Sequence, residues 1–422
     1  MRPLTHGRGY HFGMRWLRAL YMSNGLAFGS LYGFIPVLLQ SKGFDPALIG
    51  VTTSLGSMAY TMALPAWGHV GDIVSGPRRT LQMACIPAAV FALGLSAPFP
   101  VWAIIVCQVV LSAGGGPAMA LTDAMAVPVL ENASRQYARL RLLTSIAAAA
   151  SSIACGLVYG AVGYLAAPVI YLGAMAATFV SAQRVPHGRD SERRRQARAL
   201  RDGREVQAVP ERGRLGSVGE AFKINPRLVA VFVSVTCVFF GIMASGTYIT
   251  LRISDLGGGP VEVGFVTGIG SAAEIPGLVI AGLLVARLGA RWVLAASSVG
   301  FAACMLSWIV LVDAGPILAT RFLSGIFFSG VFVSYVLTVA TMLPARLQST
   351  GQTLMQAAAF GISAILANLI GGILYGAVGP LGVFGVGAVI AVIGGAIGFV
   401  ALPTDRGSIS EPAIAVPLPL TG

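Results

Sequence analysis

Twelve apolar stretches alternate with short polar segments along this chain. A helix needs about 20 residues to cross some 30 Å of hydrocarbon. The pattern predicts such helices over 16–40, 46–70, 78–97, 99–130, 136–160, 163–183, 227–252, 260–286, 291–312, 315–343, 348–376 and 380–402. Soluble helices carry an apolar stripe, whereas these runs are apolar all round. The chain therefore reads as an all-α polytopic membrane protein. Its first run is too long for a signal-peptide core and lacks a small-residue cleavage site, so it is expected to stay as the first helix.

The pattern also repeats. Gly50, Thr53, Gly56, Ser57 and Ala59 recur 214 residues later as Gly264, Thr267, Gly270, Ser271 and Ala273, with Tyr60 standing where Glu274 stands. Gly68-x-x-x-Asp72 leading to Gly76-Pro-Arg78-Arg79 parallels Gly282 to Arg291. Gly156-Leu-Val-Tyr-Gly-Ala-Val-Gly163 returns 216 residues on as Gly372-Ile-Leu-Tyr-Gly-Ala-Val-Gly379. A shared offset near half the length implies two similar halves in tandem. The expected layout is a lead (1–15), a six-helix bundle (16–183), a basic linker (184–226), a second six-helix bundle (227–403) and a tail (404–422).

Charge adds an orientation. The net charge of +12 would suit a nucleic-acid partner only if it were gathered on one polar face; instead it lies in loops, and no nucleic acid is expected. Arg78/Arg79, Arg135/Arg139, the linker with Arg193-Arg194-Arg195, Arg287/Arg291 and Arg346 fall on one side. Lys42, Arg252, Asp45, Asp255, Glu262 and Asp313 fall on the other. The positive-inside rule then puts both termini in the cytoplasm, with the linker solvated against anionic headgroups and the tail disordered. Arginine far outnumbers lysine, which is compatible with a GC-rich bacterial genome and a multi-pass cell-membrane protein. Cys85, Cys107, Cys155, Cys237 and Cys304 stand singly in apolar runs, as buried thiols do, without metal or disulfide spacing. No cofactor and no metal are expected.

Ionisable groups inside hydrocarbon cost about 2.5–3.5 kcal/mol on insertion scales, so each is a functional candidate. His6, His11, His69 and His187 are terminal or in loops, which leaves carboxylates to carry any proton. Glu274 precedes Arg287 by 13 residues, roughly 20 Å along a helix, near the midplane. It is either a proton site that ionises when water or a cation reaches it or a Glu paired permanently with a neighbouring helix. Pro276 beside it is expected to kink or open that helix. Asp123 and Arg141 flank the turn between the fourth and fifth spans at similar depth. They form either a pair that opens to bind a polar solute or a static bridge. Asn24, Tyr32, Gln108, Tyr248, Gln356 and Asn368 line a cavity or hydrogen-bond between helices.

At the loop from Gly68 to Arg79, its degenerate copy from Gly282 to Arg291, the twelve spans and the basic linker, the chain resembles the major facilitator superfamily from about Arg15 to Leu402. That resemblance implies two pseudo-symmetric six-helix bundles. It also implies a conformational gating role for Asp72, Arg78 and Arg79, with Arg287 and Arg291 in the second copy. Here Ile73 follows the Asp where a base is usual, and Ser75 is inserted. Leu121-Thr-Asp123-Ala followed by Tyr137-Ala-Arg139-Leu-Arg141-Leu is similar to the lactose permease and phenylpropionate permease groups; in lactose permease an acid on helix 4 and an Arg on helix 5, 18 positions apart as here, bind the sugar. Glu274-Ile-Pro276 resembles those permeases and the sugar-efflux group, where this acid is tied to coupling or substrate. The His and Glu of lactose permease helix 10 have no counterpart between Phe322 and Leu343.

The expected function is secondary active transport of a sugar, nucleoside or aromatic acid by alternating access, by a monomer in the bilayer and without a cofactor. The proton gradient would supply the energy through Glu274. The alternatives are proton-driven efflux of drugs or sugars and, in other classes, a non-transporting sensor or a membrane enzyme. No Ser/His, Cys/His or HExxH arrangement supports an enzyme.

Overall fold

The computed structural model describes residues 8–126, 130, 133–185, 216–344 and 347–402. The first residues of the lead, most of the linker including Arg193 to Arg195, the Asp72 side chain and the tail lie outside that set. The first crossing is α1 (Arg8–Leu31), a 3-10 turn (Tyr32–Phe34) and α2 (Ile35–Ser41). The second is α3 (Pro46–His69) ending in a π turn (Val70–Val74), and the third is α4 (Gly76–Gly94). The fourth is α5 (Val101–Gly115) with α6 (Ala118–Ala126), followed by α7 (Ala133–Val162) and α8 (Ala167–Arg184). After α9 (Gly216–Ile224) the second half comprises α10 (Arg227–Asp255), α11 (Pro260–Leu288), α12 (Ala290–Val310) and α13 (Ala314–Met342). Its last two crossings are α14 (Gln348–Gln356), a π turn (Ala357–Ile362) and α15 (Ser363–Val378), then α16 (Pro380–Ala401).

Among the described residues eleven of these crossings are long and apolar enough to span a membrane. The expected twelfth is α4, only 19 residues long, whose first turns carry Arg78, Arg79 and Gln82; it packs as a full member of the first bundle, against α5 and α8. The linker needs a correction as well. Its final part is helix α9, with Ala221 buried and Phe222 edge-on to Phe232 at 5.7 Å, because two adjacent apolar side chains suffice to seat a short helix on α10.

The repeat is visible in the backbone. The positive-φ glycines form three pairs across the two halves: Gly43 with Gly257, Gly76 with Gly289, and Gly163 with Gly379. Each sits at a helix boundary, where the left-handed conformation costs glycine nothing. The next helix starts alike in both halves. Pro46 and Pro260 occupy first-turn positions, where their missing N–H goes unneeded. Leu48 N donates to Asp45 Oδ1 (2.8 Å), and Gly259 N donates to Glu262 Oε2 (2.8 Å).

In the first bundle α1 packs on α7 and α8, and α5 on α3 and α4; in the second α16 packs on α10 and α12, and α13 on α11 and α12. Two helix pairs make the main joints between the bundles, α7 with α11 and α3 with α15, and α2 touches α10 beside them. Both joints are glycine on glycine. A Cβ on Gly156 would lie 2.8 Å from the Gly264 Cα, and one on Gly50 would lie 2.7 Å from the Gly372 Cα. The glycines that repeat in sequence are thus the ones that meet across the interface, each from one half with the partner type from the other. Further close approaches, Gly33 to Thr267, Gly268 to Ile153 and Gly361 to Thr61, carry the contact to about mid-helix. The joints lie toward the arginine-poor face, which they close. Ser54 Oγ donates to the Ile365 carbonyl (3.0 Å), Asn368 Nδ2 to Ser57 Oγ (3.1 Å) and Gln40 Nε2 to Asp255 Oδ1 (3.4 Å).

At these contacts a side chain has no space, so Gly264→Val or Gly372→Val should wedge the arginine-poor ends apart. Spin labels at S41C and V312C, read by pulsed dipolar spectroscopy, should show longer distances in each variant than in the parent; unchanged distances would mean that the glycines do not set the separation.

Candidate functional site

Side chains of the first half converge on Asp123. The Arg141 Nη2 donates to Asp123 Oδ2 at 3.0 Å, the ion pair expected from the sequence. Tyr21 donates its hydroxyl to Oδ1 at 2.6 Å, a length typical of a charge-assisted bond. Tyr137 OH donates to Oδ2 (3.1 Å) and accepts from Arg141 Nε (3.0 Å). α6 and α7 bring these groups together because Arg141 stands one turn beyond Tyr137 on α7, so both reach the same carboxylate. The pair is not sealed: Arg141 is 47% and Asp123 21% exposed. A group that competes for either partner can therefore reach it. Asn24 supports the neighbouring Thr122, donating to its Oγ1 at 2.9 Å.

In the second half Glu274 sits at the midpoint of the 29-residue α11. Thr267, which meets Gly33 of the first half, shares a stripe with Ser271 and Glu274 at helical spacing. That stripe faces the other bundle. Gly270, Ala273 and Gly277, on the adjoining face, receive Arg321, Gly325 and Ser329 of α13. Among the described residues no hydrogen-bond or ion-pair partner lies within reach of the Glu274 carboxylate. Of the two expected effects of Pro276, opening does not occur: α11 is continuous through it. The Ser329 hydroxyl donates to the Glu274 carbonyl at 3.2 Å, tying this turn to α13.

The other expected site residues divide. Tyr248 is fully buried, donates to the Asn368 carbonyl (2.6 Å) and stacks on Tyr375. Asn368 accepts from Thr247 (2.7 Å) as well as donating across to Ser57. Both therefore work as struts behind the α3–α15 joint. Tyr32 stacks on Phe28 at 5.4 Å and its buried hydroxyl lacks a partner among the described residues, as does Gln108 Oε1. Gln356 is exposed. Of the gating residues, Arg78 donates to the Gln183 carbonyl at the end of α8. Arg79 and Arg287 are exposed, and Arg291 lies over the Phe399 ring at 4.1 Å.

Arg321 is the charged residue that the sequence pattern does not bring forward. It is seven residues beyond Ala314 in the apolar α13, a position that was signal enough by the cost of charge in hydrocarbon. Tyr21 was also missed, since a tyrosine in an apolar run carries no mark of its partner. The five cysteines are free and at least half-buried, and no group of metal-ligating side chains occurs among the described residues.

Two facing helical bundles with opposite charges inside the membrane region are the architecture of a solute carrier. The chain belongs to the MFS_1 like family, whose sequence profile matches residues 14–386, and is a transporter of the major facilitator superfamily. It is 27% identical over 355 residues to maltose permease of Geobacillus stearothermophilus, covering 82% of this chain and 84% of that one. Its fold matches the nucleoside transporter NupG with a TM-score of 0.73 at 15% identity, over 92% of this chain and 98% of that one. It also matches a bacterial homologue of the human lysosomal transporter Spinster, with a TM-score of 0.68 at 8% identity, over 94% and 98%. The family and these neighbours are transporters, not enzymes.

Loss of the Tyr21 hydroxyl leaves Asp123 short of its shortest bond. Tyr21→Phe should cost about 1.5 kcal/mol and lower the thermal unfolding midpoint in detergent by about 2–4 °C, a larger drop than Tyr137→Phe produces.

Proposed function

We propose that this protein moves a small polar solute of the sugar or nucleoside class across the cell membrane by alternating access, and that proton movement through Glu274 drives it. The observation that carries this reading is the Glu274 carboxylate: midway along α11, on the stripe facing the opposite bundle, without a partner among the described residues. A permanent structural pair would have a partner within bonding distance. An acid that must take up and release a proton is better served by a free position. The resemblance to maltose permease and to NupG, which are named for a sugar and for nucleosides, supports the solute class.

The solute binds between the halves, with Asp123 and Arg141 holding it from one side. Arg141 offers a planar fork to oxygen, and Asp123 accepts from hydroxyl or amine. The state described is closed at the arginine-poor face by the glycine joints. By the positive-inside rule that face is external and the site opens to the cytoplasm, where both termini lie. A proton entering down the membrane potential supplies about 2.3 kcal/mol per 100 mV, enough for solute to be accumulated by a monomer without a cofactor.

Purified protein in vesicles tests this with maltose and uridine, with and without an imposed pH gradient. Glu274→Gln should abolish gradient-driven accumulation while solute counterflow persists at raised solute concentration; accumulation equal to the parent would make the proton assignment wrong. Asp123→Asn and Arg141→Gln should lose counterflow as well, by about tenfold or more for a lost charged hydrogen bond. The double variant should unfold closer to the parent temperature than either single one, since no lone charge is left behind.

A further inference from the structure

Arg321 is used by nothing above, yet it is a full charge eight residues into a membrane helix. Its guanidinium lies on Gly270: a Cβ there would stand 2.7 Å from Nε and 3.0 Å from Cζ, so only glycine leaves it room. Its contacts are sparse. Nε donates to the Val266 carbonyl and Nη1 to Ser324 Oγ, both at 3.3 Å. No described acceptor takes the Nη2 protons, and Glu274, one turn beyond Gly270 on α11, is beyond the 4.0 Å of an ion pair.

The equivalent joint in the first half shows what the fold itself demands. Gly56, the counterpart of Gly270, receives Gln108 from α5, with Nε2 at 3.2 Å from a Cβ and Ser112 Oγ at 2.8 Å. The position of Glu274 is taken there by Tyr60. The same glycine notch is thus filled by an amide in one half and a guanidinium in the other. Packing needs a polar side chain over the glycine and does not need two charges.

A donor and an acceptor held apart suit a neutral group that does both, or a zwitterion with an end for each; the neutral group fits the sugar or nucleoside class. A hydroxyl can accept from a guanidinium and donate to a carboxylate at once. A carboxylate or phosphate would satisfy Arg321 and be repelled by Glu274, and an ammonium would do the reverse. We propose that Arg321 is a solute-binding residue and that it holds, together with Glu274, a hydroxyl of an uncharged solute whose other end reaches Asp123 and Arg141. This rests on the carrier reading above and extends it, assigning the second half of the site and excluding solutes that bring a single sign of charge to it.

The test is thermal stabilisation and equilibrium binding of the full-length protein in nanodiscs, with maltose, uridine, maltobionate and uridine monophosphate as probes. The parent should bind a neutral probe and not its charged analogue. Arg321→Gln and the Arg321→Gln/Glu274→Gln double variant should weaken that binding by at least about tenfold, while the unliganded double variant melts within a few degrees of the parent. Parent-like affinity in the double variant would overturn the proposal and make the two charges structural, leaving the carrier reading intact if Arg141→Gln still abolishes binding. A charged analogue that binds the parent more tightly than its neutral form would also overturn it. Binding of none of the four probes by the parent would sink the sugar or nucleoside reading first and this one with it.

Discussion

Everything in this structure depends on how closely the two bundles can approach. Glycine meets glycine at Gly156–Gly264 and at Gly50–Gly372, so backbones touch where any side chain would hold them apart. In lipid there is no hydrophobic drive to press helices together, and close backbone approach is what dispersion and weak polar contacts require. The approach also decides which face is shut. Ser54, Asn368 and Gln40 bridge the halves on the same side as the glycines, so tight packing and polar locking act together there.

Toward the middle, the halves stop touching and begin to face one another with charge. The first half carries a paired acid and base that are partly exposed; the second carries an acid and a base set apart. Each half sums to zero, which limits the cost of holding four charges away from bulk water. The difference between the halves matters more than their likeness. Duplication fixed the glycines, the first-turn prolines and the turn conformations in both copies, whereas Tyr60 and Glu274, or Gln108 and Arg321, diverged at positions where the backbone does not care what is attached.

Much of this was legible from residue order. Helix boundaries follow from the length of apolar runs, and they agree with the structure to within a few residues except at the ends of α1, α4 and the fourth crossing. The ion pair of Asp123 and Arg141 was readable because a short turn forces its two helices to be antiparallel neighbours. Arg321 was not, because its relation to Glu274 runs through a notch at Gly270 between helices separated in sequence by a whole crossing. Tyr248 and Asn368 look like cavity residues in the sequence, since burial by a neighbouring bundle leaves no trace in their own helix. Pro276 leaves α11 unbroken, while the nearby Ser329–Glu274 carbonyl bond comes from another helix, which sequence-local reasoning cannot see.

The two joints between bundles are not mechanically alike. Both members of the α3–α15 pair contain or end in a π turn, Val70–Val74 and Ala357–Ile362, while α7 and α11 run unbroken for 30 and 29 residues. A π turn has one residue too many for its hydrogen bonds and bends at small cost; Ser363 already spends its hydroxyl on the Ala358 carbonyl inside one of them. One flank of the molecule is therefore built of uninterrupted helix, and the other carries a wider-wound turn in each of its crossings.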